Sequence, residues 1–179
     1  IKVNMGSPTF LQDKTLETSA ESKLDDDAFF NTIDTAETFS YSPIMLGNFH
    51  CVVFSDNCYH NWESISKTLY ATFADVPNIS FVLNFNRFIE KKDRHIKLVV
   101  KERGSGWTKS CGSGASATGA FVIRYAHLVN YPLNTLCINQ EGGDLNVKWD
   151  LNSKHKDNQN IYLIGPTKFD YEGIWDVKT

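Results

Sequence analysis

The sequence predicts an α+β fold in which a mostly antiparallel sheet curls around one central, buried helix. The stretch from Gly114 to Val129 is apolar nearly all round, interrupted chiefly by Arg124 and His127. That is the mark of a helix enclosed by its domain rather than lying on the surface. Short alternating or apolar segments bounded by Gly, Asn and Asp come both before and after it, and strands flanking a single helix make an α+β arrangement.

Taken in order, Ile1 to Met5 alternates and ends in Gly6, a short strand and turn. From Thr15 to about Thr38 the chain is acidic and polar; Asp25 to Asp27 lack the alternating ligands and glycine of a calcium loop and read as a solvated loop or hairpin. "GNFHCVVFSDN" holds a strand from Cys51 to Phe54. Trp62, Ile65, Leu69 and Phe73 then follow at helical spacing after a candidate Asn61 cap, and this helix stops before Pro77. "ISFVLNF" and "HIKLVVKER" read as paired strands joined by a charged "IEKKDR" turn. The central helix is halted by Pro132. After it, "TLCIN", "DLNVKWD", "NIYLIG" and "KFDYEGIW" read as strands, with "EGG" suited to a hairpin.

At 179 residues, 41% of them apolar and 13% aromatic, the chain can bury the core of one ordinary domain, residues 1–179. A net charge of −3 leaves no basic surface for nucleic acid, and no run approaches the roughly 18 apolar residues of a membrane-spanning helix. Cys51, Cys58, Cys111 and Cys137 lack C-x-x-C spacing, which argues against a zinc site or a redox pair and for reduced thiols in a cytoplasmic protein. The first residue is Ile1 rather than Met, and this strand-like start suggests a cut through a longer protein.

Chemistry concentrates in "KERGSGWTKSCGSGASATGAF", Lys101 to Phe121. Cys111 sits immediately before the helix, where free backbone N–H groups and the positive dipole end favour a thiolate and hence a lowered thiol pKa. The same N–H groups form a receptor for a carboxylate or phosphate. Arg103 adds a fork that can hold a carboxylate, and Glu102 can hold an amine or exchange a proton with the thiol. A phosphate loop fits less well, because Ser113 is followed by Gly114 rather than by the Lys-Ser/Thr pair. A cysteine near a helix start is more often a small buried residue than a catalyst, and a Glu-Arg pair at a strand end is usually surface.

The string "ERGSGWTKSCGSGA", Glu102 to Ala115, resembles the second active-site motif of the diaminopimelate epimerase family, Glu-Arg-Gly-x-Gly-x-Thr-x-x-Cys-Gly-[Thr/Ser]-Gly-Ala. "NMGSP", "GNFHCVVF", "PNISFV", "GGDLNVKW" and "IYLIGPTKFDYEG" resemble further segments in the right order. The resemblance implies a fold of two similar lobes, each a sheet wrapped about a helix. It makes this chain the C-terminal lobe, with the N-terminal lobe absent from it. It also implies cofactor-independent epimerisation of LL- to meso-diaminopimelate by two cysteines, with no metal. Cys111 would be one of the two, Glu102 would lie near the amine and the thiol, and His50 would assist the opposite cysteine. Gly112 and Ser113 would offer N–H groups to the α-carboxylate, while Asn48, Asn78 and Arg103 would grip the distal end of the substrate.

The family's Gly-Asn-Gly-x-Arg-Cys segment has no counterpart here, and Cys51, Cys58 and Cys137 do not stand in such a context. Trp107 replaces a common Glu and Phe49 a Pro; both are expected beside the cleft, where they bear on the substrate more than on the reaction. Besides an amino-acid substrate and the other lobe, the implied partners exclude nucleic acid and membrane, and a homodimer is compatible with them. The alternatives are a racemase of another amino acid, such as histidine, and a non-catalytic amino-acid-binding module of the same fold.

Overall fold

The computed structural model describes residues 1–11, 31–34, 38–54, 61–151 and 159–175. Asp25 to Asp27, Cys58 and most of the acidic segment lie outside the described residues. The strands are β1 (Lys2–Gly6), β2 (Thr9–Phe10), β3 (Asn31–Asp34), β4 (Thr38–Leu46), β5 (Asn48–Phe54), β6 (Asn78–Val82), β7 (His95–Glu102), β8 (Gly106–Thr108), β9 (Thr135–Gln140), β10 (Gly143–Lys148) and β11 (Ile161–Ile164). Three helices, α1 (Trp62–Thr72), α2 (Phe85–Lys91) and α3 (Gly112–Leu128), complete the described elements.

The strands join in the order β1-β11-β10-β9-β7-β6-β5-β4-β2, with β3 added on β4 and β8 on β7. Among the described strands only β5–β6 and β7–β9 run parallel. The curl is made by β7: its first residues, His95 to Lys97, pair with β9, and from Leu98 onward it pairs with β6. One strand thus belongs to both halves of the sheet, and the two halves close around α3. That helix touches β4, β5, β6, β9, β10 and β11.

Close approach requires small residues. Ala115, Ala117, Gly119, Ala120 and Ala126 of α3 are buried among Ile44, Val52, Leu98, Ile138 and Val147. Asn130, in the left-handed region at φ 54°, ends the helix, Tyr131 N–H returns to the Ala126 carbonyl, and Pro132 prevents continuation.

The outer face of β4–β6 has its own core. Phe39, Tyr41, Phe49, Cys51, Val53, Ile79 and Phe81 pack against Ile65 and Leu69 of α1. Strand β5 is therefore buried on both faces, which is why it reads as a continuous apolar run rather than an alternating one. Helix α1 falls where its spacing predicts; Asn61 stands at the cap position without a side-chain cap bond.

Three elements differ from expectation. "IEKKDR" is not a simple turn: α2 fills the connection, and Asn84 stitches its start to β7 by accepting from Lys97 N–H (2.8 Å) and donating to the His95 carbonyl (2.9 Å). Strand β4, Thr38–Leu46, is not among the expected elements; it runs through Pro43, which cannot donate to a ladder. Strand β3 pairs antiparallel with it at the end of the acidic region, which is compatible with the loop or hairpin read there. "KFDYEGIW" forms no strand; Phe169, Tyr171, Ile174 and Trp175 are exposed instead. Among the described residues no helix is long and apolar enough to cross a membrane.

Candidate active site

The motif folds as a hairpin followed by a helix. Strands β7 and β8 pair Glu102 with Gly106 across a turn in which Gly104 adopts φ 82°, a conformation that L side chains rarely take. Cys111 is then the N-cap of α3, with extended backbone and only 6% exposure. Its Sγ accepts from Gly114 N–H at 3.3 Å and lies 3.5 Å from Ser113 Oγ. A Cβ at Gly114 would sit 3.0 Å from Ser80 Oγ and 3.3 Å from the sulfur, so glycine is what lets the thiol turn back onto the helix end.

Facing this cap is a row of polar side chains at the strand ends. Pairing puts His50 beside Asn78, and Ile79 beside Lys101, so Glu102 comes next in that row. Alternation places all three on the α3 side, continuing Val52, Val82 and Val100 of the inner core. Glu102 Oε1 accepts from the Thr108 hydroxyl at 2.5 Å. One step further in, Ser80 Oγ is buried with no hydrogen-bond partner among the described residues.

Electrostatics give the cluster a definite resting state. Burial pushes the Cys111 thiol upward; the Ser113 hydroxyl and Gly114 N–H pull the other way, and the neighbouring Glu102 carboxylate adds to the rise. The sequence predicts a lowered thiol pKa from the helix dipole, and burial reverses that direction, since it penalises the anion more than the cap bonds favour it. His50 is fully buried, and burial lowers its pKa to about 4 against a small opposing effect of Glu102. Its Nε2 donates to Asn48 Oδ1 at 2.7 Å, which leaves Nδ1 as a buried acceptor with no partner among the described residues.

A pH prediction follows from His50. Because its folded pKa lies below the ordinary 6.5, the neutral ring's stability is fully present above pH 6.5 and is lost as pH falls toward about 4. At about 1.4 kcal/mol per pH unit, roughly 2 kcal/mol is gone by pH 5. His50→Gln keeps a donor for Asn48 but cannot titrate, so the stability gap between wild type and variant should narrow by that amount between pH 7 and 5. Urea unfolding at both pH values measures this; an unchanged gap would rule out His50 as the titrating group.

Of the residues predicted for the site, the structure gathers Cys111, Gly112, Ser113, Glu102, His50, Asn48 and Asn78. Asn78 is engaged by backbone, accepting from Arg103 N–H (3.0 Å) and donating to the Phe49 carbonyl (3.3 Å), so it ties the strand ends together. The Arg103 guanidinium is half-exposed and bonded to Asp75 at 2.6 Å. The Phe49 and Trp107 side chains point away from this cluster. Phe49 packs on Phe73, while Trp107 lies tilted against Trp62 and Phe81 beside Lys101, all on the α1 side. Both were expected beside the cleft, but the one-residue alternation along β5 and β8 turns them to the other face.

Cys51 also belongs to the α1-side core. Among the described residues no group of three or more His, Cys, Asp or Glu could hold a metal ion. Sequence reasoning missed Gln140, whose side chain bonds both N–H and C=O of Cys111. Its signal was present, because period two along β9 puts Gln140 on the inward face with Leu136 and Ile138.

The family described as Diaminopimelate epimerase matches residues 43–169. Diaminopimelate epimerase of Desulforapulum autotrophicum is 31% identical over 140 residues, covering 76% of this chain and 44% of that protein. Its counterpart in Rippkaea orientalis is 30% identical over 180 residues, covering 99% and 58%. The chain thus spans about half the length of the curated relatives it matches. A crystal structure of a hydroxyproline epimerase from Agrobacterium vitis, with bound trans-4-hydroxy-L-proline, superposes with a TM-score of 0.53 at 9% identity, covering 90% of this chain and 48% of that one, a likeness of fold alone. With the motif folded onto one helix cap and the family match running through most of the sequence, the chain belongs to the diaminopimelate epimerase family.

Proposed function

We propose that this chain is the C-terminal lobe of a diaminopimelate epimerase and supplies one of two cysteines that invert the α-carbon of LL-diaminopimelate to give the meso form. The observation that carries the reading is Cys111 at the α3 cap beside Glu102, a carboxylate that also acts on His50. The first-turn N–H groups of Gly112 and Ser113 have no intrahelical acceptor and suit an α-carboxylate. One thiolate takes the Cα proton while the opposite thiol delivers a proton to the other face. One C–H bond breaks and one forms, and the two cysteines exchange protonation states. Burial and Glu102 favour the thiol form of Cys111, which suits the donor role in this direction. The second cysteine belongs to another lobe of the same protein, and the cycle calls for neither cofactor nor metal. A cytoplasmic setting goes with this reading.

At the rim, Arg103 and Asp75 present opposite charges side by side. The distal end of diaminopimelate is itself a carboxylate and an ammonium, so the pair suits this substrate better than an amino acid with an uncharged side chain. Arg103→Lys, which loses the fork, should raise KM for diaminopimelate about tenfold with kcat nearly unchanged.

The test is solvent exchange. Full-length protein given LL-diaminopimelate in heavy water should incorporate deuterium at Cα and form the meso product, with far slower exchange on a panel including histidine. The 179-residue chain alone should give none. Faster exchange on another amino acid would transfer the assignment to that substrate. No exchange on any amino acid, with tight amino-acid binding, would favour a binding module.

A further inference from the structure

We propose that Gln140 is a positioning residue for Cys111, its carboxamide acting as a substitute strand partner that fixes the cysteine backbone and so the direction of the thiol. This rests on the reading of Cys111 as the acid–base group. Cys111 has φ −137° and ψ 112°, and in such an extended residue N–H and C=O point to the same side. A carboxamide carries an acceptor and a donor group side by side in a single plane. Gln140 Oε1 accepts from Cys111 N–H at 3.1 Å, and Nε2 donates to the Cys111 carbonyl at 3.3 Å. That carbonyl also accepts the first helical bond of α3, from Ala115 N–H at 2.9 Å.

The clamp is itself held. Gln140 is 4% exposed at the end of β9, and the following turn is seated on the loop that leads into the cap. Gly142 N–H donates to the Lys109 carbonyl at 2.8 Å. A Cβ on Gly142 would meet Ser110 at 3.0 Å and the Lys109 carbonyl at 3.2 Å, so the turn lies directly against the loop. The exposed Lys109–Glu141 pair at 3.3 Å adds little. Sγ is then oriented from within α3, by Gly114 N–H and Ser113, and the residue as a whole from β9, 29 positions away. Rotation of an extended cap residue would swing the thiol off the Cα it must address, and a shift of about 1 Å costs on the order of 10²-fold in rate.

Two variants test this in the full-length protein. Gln140→Met keeps the volume and loses both bonds; kcat should fall about 10²-fold with KM within about threefold. Gln140→Glu retains an acceptor for Cys111 N–H but places a negative charge beside the thiol. The pH of half-maximal alkylation of Cys111 by iodoacetamide, followed on its own peptide by mass spectrometry, should rise by about one unit. A merely structural glutamine would lower the melting temperature and leave kcat where it was in both variants, which overturns the proposal. If Gln140→Met fails to fold, the kcat of Gln140→Glu, which keeps only the bond to Cys111 N–H, decides: a fall with KM held supports the clamp and an unchanged value overturns it. Alkylation needs no epimerase activity: a shifted profile in a protein inactive on diaminopimelate would sink the functional reading and keep the clamp, whereas an active protein with an unshifted profile and unchanged kcat does the reverse.

Discussion

Cys111→Ala in the full-length protein is expected to lower epimerisation of LL-diaminopimelate by about 10²–10⁴-fold, the usual contribution of a positioned acid–base group. Stability should change far less. Alanine removes a sulfur that accepts one bond from Gly114 N–H, and the rest of the cap, Ala115 N–H to the Cys111 carbonyl and the Gln140 clamp, is made by backbone. Losing such a cap bond costs about 1 kcal/mol. Deuterium uptake at Cα, measured beside a urea titration, separates the two effects. Full exchange in a folded variant would remove Cys111 from the reaction, and loss of the fold would make it a core residue instead. Cys51→Ala, on the α1 side of the sheet, serves as the thiol control and should leave exchange unchanged.

The second large effect concerns the helix seat. A Cβ on Gly119 would lie 2.5 Å from Val147 Cγ1 and 2.6 Å from its Cβ. Val147 is fully buried on β10, between β9 and β11, and a β-branched side chain in a strand has no rotamer that clears its own Cβ. Gly119→Val should therefore destabilise at or beyond the ~3 kcal/mol upper end usual for overpacking. Relief of glycine's poor helix propensity is too small to reverse the sign, since valine is itself a weak helix former and gains only about 0.3 kcal/mol over glycine. A lowered urea midpoint is the expected reading, and an unchanged one would show that α3 sits farther from β10 than described. Because α3 carries Cys111 at its first turn, the variant should also lose activity in step with its fold.

Much of this was legible in the sequence. The apolar α3 stretch, the Trp62–Leu69 spacing of α1 and the closing "EGG" hairpin are local signals, set by periodicity and turn chemistry, and the structure reproduces them. The family came from one dense motif, and the match over residues 43–169 agrees with it. Where reading failed, long-range packing had overridden local signals. "KFDYEGIW" has strand chemistry, but both sides of β11, the strand just before it, are already taken by β1 and β10, and the segment stays exposed. "IEKKDR" is charged enough for a turn, yet Phe85 and Phe88 give α2 an apolar face to bury beside Phe54 and Tyr131.

The sequence by itself determined the fold class, the helix that carries Cys111 and the family, because each depends on residues close together in the chain. Tertiary structure alone decided three things about the site. It turned Phe49 and Trp107 onto the α1 face, since one residue along a strand reverses the side a chain presents. It placed Gln140 on the Cys111 backbone across 29 positions. And it set the sign of the thiol's pKa, because the dipole is visible in the order of residues, whereas burial, which outweighs it here, exists only once the sheet has closed around α3.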